Sequence, residues 1–203
     1  MGLISNGTTV FDAGAMASGF GGSMTFIKKL TASSSGTLSF VDGASNVVLD
    51  STYKEYLFIF NNIHPETDNG IFQFNFSVDG GSNYNIAKTT TLFRTYHNES
   101  DTAATLTYQG SEDLAQGTGF QNIAYMGNAN DECLGGTFHL FDPSNTTFVK
   151  HFMWSGQFVQ YQDYSQNWIV SGYGNTTSAI DAIQFKYASG NIDSGTITLY
   201  GIS

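Results

Sequence analysis

Hydrophobic and polar side chains alternate along several short stretches of this chain, most strictly over residues 71–78. Every second residue from position 72 is apolar and the residues between them are polar: Phe72, Phe74, Phe76 and Val78 against Gln73, Asn75 and Ser77. Successive side chains of a β-strand point to opposite faces of its sheet, so this alternation predicts a half-buried strand. The Asp-Gly-Gly-Ser-Asn run that follows, residues 79–83, predicts a turn.

A second stretch, residues 53–63, is apolar on both of its faces. The two faces carry different residues: Tyr56, Phe58 and Phe60 on one, Leu57 and Ile59 on the other. A strand with two apolar faces is typical of the centre of a sheet that is covered on both sides. We therefore expect a central strand here, with structure packed above and below it.

Further short strands are predicted between clusters of turn residues along the rest of the chain. They lie at residues 24–30, 37–41, 90–96, 105–108, 121–125, 137–141, 148–154, 168–173, 180–187 and 196–202. No stretch has convincing helical periodicity, and no repeat of about 20 to 50 residues is visible. Many short strands in succession predict an all-β fold, an antiparallel two-sheet β-sandwich that is jelly-roll-like and occupies residues 24–203 as one domain.

The first 23 residues differ from the rest, since they contain six glycines, one charged residue and no sustained periodicity. We expect an extended N-terminal arm over residues 1–23. Its apolar side chains are too numerous for a solvated tail and predict that the arm docks on its own domain or on a neighbouring subunit. A frayed or self-packed leader remains the alternative. The candidate anchor residues are Leu3, Ile4, Val10, Phe11, Met16 and Phe20.

Composition agrees with a β fold and narrows the choice of partners. Gly, Thr, Ser and Asn, at 23, 22, 21 and 16 residues, supply most of the polarity of the 203-residue chain, and only 12% of its residues are charged. Seven basic residues against 17 acidic ones give a net charge of −10. Such a chain cannot build the Lys/Arg surface that binds nucleic acid or anionic lipid, and no apolar run approaches the roughly 18 residues of a membrane span. Neither nucleic acid nor a membrane is an expected partner.

Motifs for catalysis and cofactors are not found in the sequence. Cys133 is the single cysteine, so an internal disulfide and a cysteine-based zinc site are excluded. The pairs Glu112–Asp113 and Asp131–Glu132 lie in polar loops, where we expect solvated charges. We expect no enzyme activity, no cofactor and no resident metal. Two weaker alternatives stay open: Ca²⁺ held by residues 79–83 or 128–132, and a Ser-His-Asp site assembled by folding around His64, His97, His139 or His151.

Aromatic and amide side chains are interleaved between residues 154 and 173. Flat aromatic faces beside amides bind sugar rings and also anchor protein interfaces. Cross-strand packing inside the fold is the third explanation of the same pattern. The candidate interface or glycan contacts are Trp154, Tyr161, Tyr164 and Trp168.

Three motifs resemble a known group of proteins. The C-terminal residues 178–202 place a strand, a Gly-Asn-Ile-Asp-Ser-Gly turn and a final Ile-Thr-Leu-Tyr-Gly-Ile strand in succession. Tyr-Lys-Glu-Tyr-Leu at 53–57 and Asp-Gly-Gly-Ser-Asn-Tyr at 79–84 precede them in the same order. Over residues 24–203 this arrangement resembles small virion structural proteins of tailed bacteriophages, and residues 2–9 are similar to leaders on marine-phage structural proteins.

The resemblance implies a jelly-roll-like, non-enzymatic structural protein of a bacteriophage virion, made in the bacterial cytoplasm. Such proteins serve as capsid decoration or cement, as fibres, or as tail appendages. We expect a homotrimer that contacts major capsid, portal or tail subunits. The resemblance brings no catalytic residues with it. The alternative function is a module of a tail fibre that binds a host surface glycan as its receptor.

Overall fold

The computed structural model describes residues 3–6, 8–12, 15–16 and 23–203. These residues form fifteen β-strands and no helix. The strands are β1 (Leu3–Ser5), β2 (Thr8–Asp12), β3 (Ala15–Met16), β4 (Met24–Thr31), β5 (Leu38–Val41), β6 (Glu55–Pro65), β7 (Gly70–Ser77), β8 (Lys88–Asn98), β9 (Ala104–Tyr108), β10 (Gln121–Met126), β11 (Leu134–Phe141), β12 (Lys150–Gln160), β13 (Tyr164–Gly174), β14 (Ala182–Tyr187) and β15 (Ile192–Ile202).

The first three strands form a small antiparallel sheet of their own, in the order β1-β2-β3. Periodicity predicted none of them. Four of the candidate anchor residues lie in these strands without a described side chain, namely Leu3, Val10, Phe11 and Met16. Ile4 is exposed, and Phe20 lies outside the described residues. Docking of this segment on a neighbour therefore stays a prediction.

The other twelve strands form two antiparallel sheets that pack face to face, which confirms the predicted β-sandwich. The small sheet has the order β10-β7-β14-β5, and the large sheet has the order β4-β15-β6-β11-β12-β13-β8-β9. From β5 onward the chain passes repeatedly from one sheet to the other, as it does in sandwiches with crossing connections. The narrower designation of a jelly roll stays a prediction.

All twelve strands that periodicity predicted after residue 23 are present, but several were predicted too short, among them β8, β12, β13 and β15. β8, β12 and β13 each run for 11 residues. The part of the β12–β13 hairpin that was missed, residues 155–167, contains Ser, Gln and Asn on both faces and so has no apolar alternation. Full cross-strand pairing from Lys150–Gly174 to Gln160–Tyr164 holds it in the sheet.

Phenylalanine rings fill the space between the two sheets. Phe74 of β7 packs edge-on against Phe138 and Phe152 of the large sheet, with ring centroids 4.7 and 5.0 Å apart. Phe185 of β14 meets Phe60 of β6 at 5.0 Å in the same way. Edge-to-face contacts of this kind add to the free energy gained by burying the rings. These rings fix the position of the small sheet over β6, β11 and β12.

Trp154 belongs to this core. Its ring is 1% exposed, and its Nε1–H donates to the carbonyl of Ile123 in the opposite sheet at 3.0 Å. The indole lies over Gly136 and Gly156, which are cross-strand partners and leave room for it because they carry no side chain. The prediction that Trp154 contacts a partner or a sugar is therefore wrong, and cross-strand packing explains this residue.

Two of the three polar side chains of β7 are also buried, contrary to the half-buried strand that was predicted. Asn75 and Ser77 are 0% exposed. The Asn75 amide nitrogen donates to the carbonyls of Tyr84 and Thr118 at 2.7 and 3.0 Å, so loops cover this face. Its oxygen accepts a 2.5 Å hydrogen bond from the ammonium group of Lys88, which is itself fully buried. Burial lowers the pKa of Lys88 to about 7.

We predict that Gly156→Ala destabilises the fold by about 1 to 3 kcal/mol, because a methyl group there would overlap the Trp154 ring and overpack the core. Urea denaturation would measure the loss. Gly119→Ala is the matched control, since a Cβ at Gly119 meets no atom within 4 Å. Equal denaturation midpoints for the two variants would contradict the role of Gly156.

We predict that Lys88 makes stability rise with pH between about 7 and 9. The unfolded chain keeps this proton up to the ordinary lysine pKa of 10.5, whereas the folded chain loses it near 7, so raising the pH favours the folded state. Over this interval the free energy of unfolding of the wild type should grow by about 2 kcal/mol relative to that of Lys88→Met. Lys29→Met, which removes an exposed charge, is the control: the free energy of unfolding of the wild type should not grow in this way relative to that of Lys29→Met. Parallel profiles for the wild type and Lys88→Met would refute the prediction.

Candidate functional site

The small sheet covers only part of the large one. The inner face of the large sheet is buried where Trp154, Phe152 and Leu92 lie, and it emerges from beneath the small sheet near the far ends of β8, β12 and β13. The side chains at this end are polar and aromatic instead of aliphatic. We call this surface the Arg94 groove; it is lined by Arg94, Tyr96, Gln160, Tyr161, Tyr164 and Gln166.

A chain of hydrogen bonds fixes the floor of the Arg94 groove. The indole Nε1–H of Trp168 donates to Gln166 Oε1 at 2.8 Å, and the Gln166 amide nitrogen donates to Gln160 Oε1 at 2.6 Å. Gln166 is 1% exposed, so this amide is held in a single orientation between its neighbours. The floor is therefore rigid before any ligand arrives.

Arg94 stands on β8 beside this floor and is the single arginine of the sequence. Its guanidinium lies over the ring of Tyr96, 5.4 Å from the centroid, and Tyr96 packs edge-on against Tyr164 at 5.3 Å. One Nη1–H points toward Gln166 Oε1 at 3.4 Å. The Nε atom is buried and has no hydrogen-bond partner among the described residues. The cation is thus positioned by a ring and an amide instead of a carboxylate.

Glu112 forms another wall of the site. Its Oε2 accepts hydrogen bonds from the Tyr125 hydroxyl at 2.8 Å and from the Asn122 amide at 2.7 Å. Burial, followed by the hydrogen bond to Glu112, raises the pKa of Tyr125, which keeps the hydroxyl protonated as a donor. The carboxylate of Glu112, which the sequence predicted to be solvated, is therefore partly buried and hydrogen-bonded.

Two adjoining cavities make up the space of the groove. One of about 250 Å³ lies between Arg94, Glu112, Tyr125 and Tyr161, and one of about 210 Å³ lies beside Tyr164. Arg94 and Gln160 line both. Each cavity has room for about one sugar ring, with charged, amide and aromatic groups on its walls.

The structure separates the remaining aromatic candidates. Trp168 is 1% exposed and packs against Phe158 and Tyr125, but it also lines the floor of the larger cavity, so its contact with a ligand stays a prediction. Tyr161 is 38% exposed, and Tyr164 is half-buried beside Tyr96. Sequence reasoning missed Arg94 and Glu112 because they come from other segments, and only strand pairing brings them to the hairpin.

A second surface of interest is the outer face of the large sheet, which the small sheet does not touch. In the central strand β6, Leu57 and Ile59 point to this face and are only half-buried, so the predicted cover on both sides is not found among the described residues. Neighbouring strands continue the apolar row. The exposed apolar side chains of the outer face are Met24, Phe26, Phe93, Leu106, Tyr108 and Met153.

Polar groups on the outer face are mostly uncharged. Thr137, Ser155 and Ser171 lie between the apolar residues on β11, β12 and β13. Glu55 and His139 bind each other, with Oε1 and Nδ1 2.5 Å apart. The face is therefore a broad, weakly charged and partly apolar surface.

The alternatives of catalysis and metal binding find little geometric support in the described part of the chain. The hydrogen-bond partners of His64, His97 and His139 are a carbonyl or a carboxylate, with no serine hydroxyl, and His151 packs against Tyr173. Between residues 23 and 203, and in the shorter described ranges before them, no group of three or more His, Cys, Asp or Glu side chains is placed to hold a metal.

In each of the two loops considered for Ca²⁺, one carboxylate accepts hydrogen bonds from its own loop or from the residues next to it. Asp79 accepts hydrogen bonds from the side chain of Asn83, from the Ser77 hydroxyl and from the backbone of Asn83, which lowers the pKa of its carboxyl to about 2. In the other loop, Glu132 is buried, not solvated as expected, and accepts a hydrogen bond from the Ala129 backbone at 2.7 Å. Both loops are closed turns.

Comparison with protein-family models, with curated proteins and with solved structures finds no match. In the part of the chain that the structure describes, no helix has the length and apolar character required to cross a membrane.

Proposed function

We propose that this chain is a non-enzymatic structural protein of a tailed-bacteriophage virion, serving as capsid decoration or cement, as a fibre, or as a tail appendage. The motifs described above support the virion assignment by resemblance. The observation that carries the assembly role is the outer face of the large sheet, because the described residues leave one of the two apolar faces of a central strand only half-buried.

Burying the outer face would be favourable. Each Å² of apolar surface removed from water contributes about 25 cal/mol. The apolar residues run across the sheet from Phe26 on β4 to Leu106 on β9. A face that spans eight strands has the breadth of a stable interface, which buries roughly 800 Å² on each partner. The face therefore suits a permanent contact.

The partner at this face is another copy of the same chain, with a homotrimer as the expected assembly. The chain carries a net charge of −10, so two copies repel each other where acidic residues are dense. The outer face, with its Thr and Ser residues and its Glu55–His139 pair, is a surface where copies approach with little repulsion. Residues 1–23 would then remain for contacts with major capsid, portal or tail subunits of the virion.

We predict that the wild-type chain sediments as an oligomer, with three times the 22.0 kDa mass of one chain as the expected value. Met153→Asp should weaken the assembly at least about tenfold, or about 1.4 kcal/mol, because it places a charge in the middle of the outer face. Sedimentation velocity would measure both, and circular dichroism would verify the fold. Val78→Asp, at a 36% exposed residue that follows β7 of the small sheet, is the matched control.

A chain without residues 2–22 should still form this oligomer. This result would show that the outer face, and not the arm, holds the copies together. A wild-type chain that stays monomeric at tens of micromolar, or a Met153→Asp variant that assembles as well as Val78→Asp, would overturn the assembly role.

The Arg94 groove favours a second function, recognition of a host surface glycan. Tyr161 and Tyr164 supply ring faces, Gln160 supplies an amide, and the two cavities together have room for about two sugar rings. This arrangement of aromatic and hydrogen-bonding groups is what a sugar-binding surface requires. The groove and the outer face lie on different sides of the large sheet, so one chain has room for both functions.

We predict that Tyr161→Ala lowers binding to the glycans recognised on an array by at least about tenfold, because it removes a stacking surface worth about 1.4 kcal/mol or more. Phe148→Ala removes an exposed aromatic side chain that lines neither cavity of the groove, so this variant should bind as the wild type does. Absence of binding to any glycan, or equal binding by the two variants, would count against this second function.

A further inference from the structure

Arg94 is the feature of the groove that the two functions above leave unused. It is the single arginine among seven basic residues, and it stands in a chain with 17 acidic ones. Even so, none of the described Asp or Glu side chains lies within 4.0 Å of its guanidinium. A guanidinium is permanently charged, and a partly buried charge is stable only when it is paired or well hydrogen-bonded. Arg94 is therefore short of a partner.

Its existing contacts hold the side chain without neutralising it. The Tyr96 ring supports one face of the guanidinium, and the contact from Nη1 to Gln166 is long at 3.4 Å. Gln166 is already committed to Trp168 and Gln160, so it cannot turn to meet Arg94 more closely. The planar fork of the guanidinium is thus positioned in advance at the wall that both cavities share.

We propose that the Arg94 groove binds an acidic sugar, a hexuronic acid or a similar carboxylated residue of a glycan, and that Arg94 holds its carboxylate. This inference rests on the glycan-binding alternative and names the class of sugar. Arginine binds a carboxylate through two parallel hydrogen bonds, which supplies both charge and orientation. Because Nε is enclosed, the carboxylate is received by the two Nη groups.

The other walls favour a sugar over a simple anion. Glu112 faces the same cavity, and its carboxylate would repel a doubly charged phosphate but accepts hydrogen bonds from sugar hydroxyls. Tyr161 offers a partly exposed ring for the apolar face of a pyranose. A ligand with one negative charge and several hydroxyl groups satisfies Arg94, Glu112 and Tyr161 together.

The single arginine and the two tryptophans give the test unusually clear signals. In a ¹H–¹⁵N spectrum the Nε–H of Arg94 is the one arginine side-chain signal of this kind. The indole signal of Trp168 senses the groove through Gln166, and that of Trp154, bonded to Ile123 across the core, serves as an internal reference. The probes are methyl β-D-glucuronide, the neutral methyl β-D-glucoside, acetate, and N-acetylglutamate amide as a peptide carboxylate.

We predict that the glucuronide shifts the Arg94 and Trp168 signals saturably, leaves Trp154 in place, and binds at least about tenfold more tightly than the other three probes. Arg94→Lys keeps the charge but loses the fork, so it should weaken glucuronide binding about tenfold or more, as followed by Trp168, without changing the affinity for glucoside. The titration of the wild-type chain tests the proposal even if this variant fails to fold.

Each other outcome overturns a defined part of the inference. Equal affinity for glucuronide and glucoside would overturn the role of the carboxylate and leave glycan binding intact. Acetate binding as tightly as glucuronide would make the groove a simple anion site, and N-acetylglutamate amide binding as tightly would assign it to acidic peptides. No shift with either sugar, at concentrations up to tens of millimolar, would overturn both the acidic-sugar assignment and the glycan-binding alternative.

Discussion

A sheet of four strands packs against a sheet of eight, and this mismatch in width determines what each surface of the molecule can do. The small sheet and the loops beside it bury the inner face of the large one from β15 to β13 and as far as Leu92 of β8. Beneath that cover the side chains are phenylalanine and tryptophan. Beyond it, the same strands change to Arg, Gln and Tyr, because there the inner face is in contact with water. The opposite face of the large sheet has exposed apolar side chains in the part of the chain that the structure describes. The candidate groove and the candidate assembly face are thus two consequences of one constraint.

The aromatic layer makes that arrangement rigid. Trp154 joins the sheets by its hydrogen bond to Ile123. Its ring fits because Gly136 and Gly156, which lie beneath it, have no side chains. Trp168 continues the layer to the edge of the cover, where its indole N–H holds Gln166 and, through Gln166, Gln160. Packing in the core and geometry in the groove are therefore connected by consecutive contacts. A change at Trp168 would disturb the fold first, so Tyr161 and Arg94 are the residues that probe binding.

The periodicity of the sequence was sufficient to predict the class of fold. It failed for features that depend on which strands pair in the folded chain. The alternation at residues 71–78 located β7, and the two apolar faces at residues 53–63 located the central strand β6. The extra length of the β12–β13 hairpin could not be predicted from the sequence, because Gln and Ser residues occupy both of its faces and give no apolar alternation. Two of four aromatic candidates are core residues, since a sequence does not tell which tryptophan faces the other sheet. Arg94 and Glu112 join the groove from segments that are distant along the chain, and no local pattern marks them.

The proposed assembly covers the outer face of the large sheet with another copy of the chain. Oxidation of single methionines, measured by mass spectrometry at protein concentrations below and above assembly, tests it directly. Met153 is 50% exposed on that face, and Met126 is fully buried in the core as a reference. If another copy covers this face, Met153 should oxidise several-fold more slowly at high concentration, whereas Met126 should stay slow throughout. Equal oxidation of Met153 at both concentrations would contradict the claim, whether or not the chain assembles through another surface.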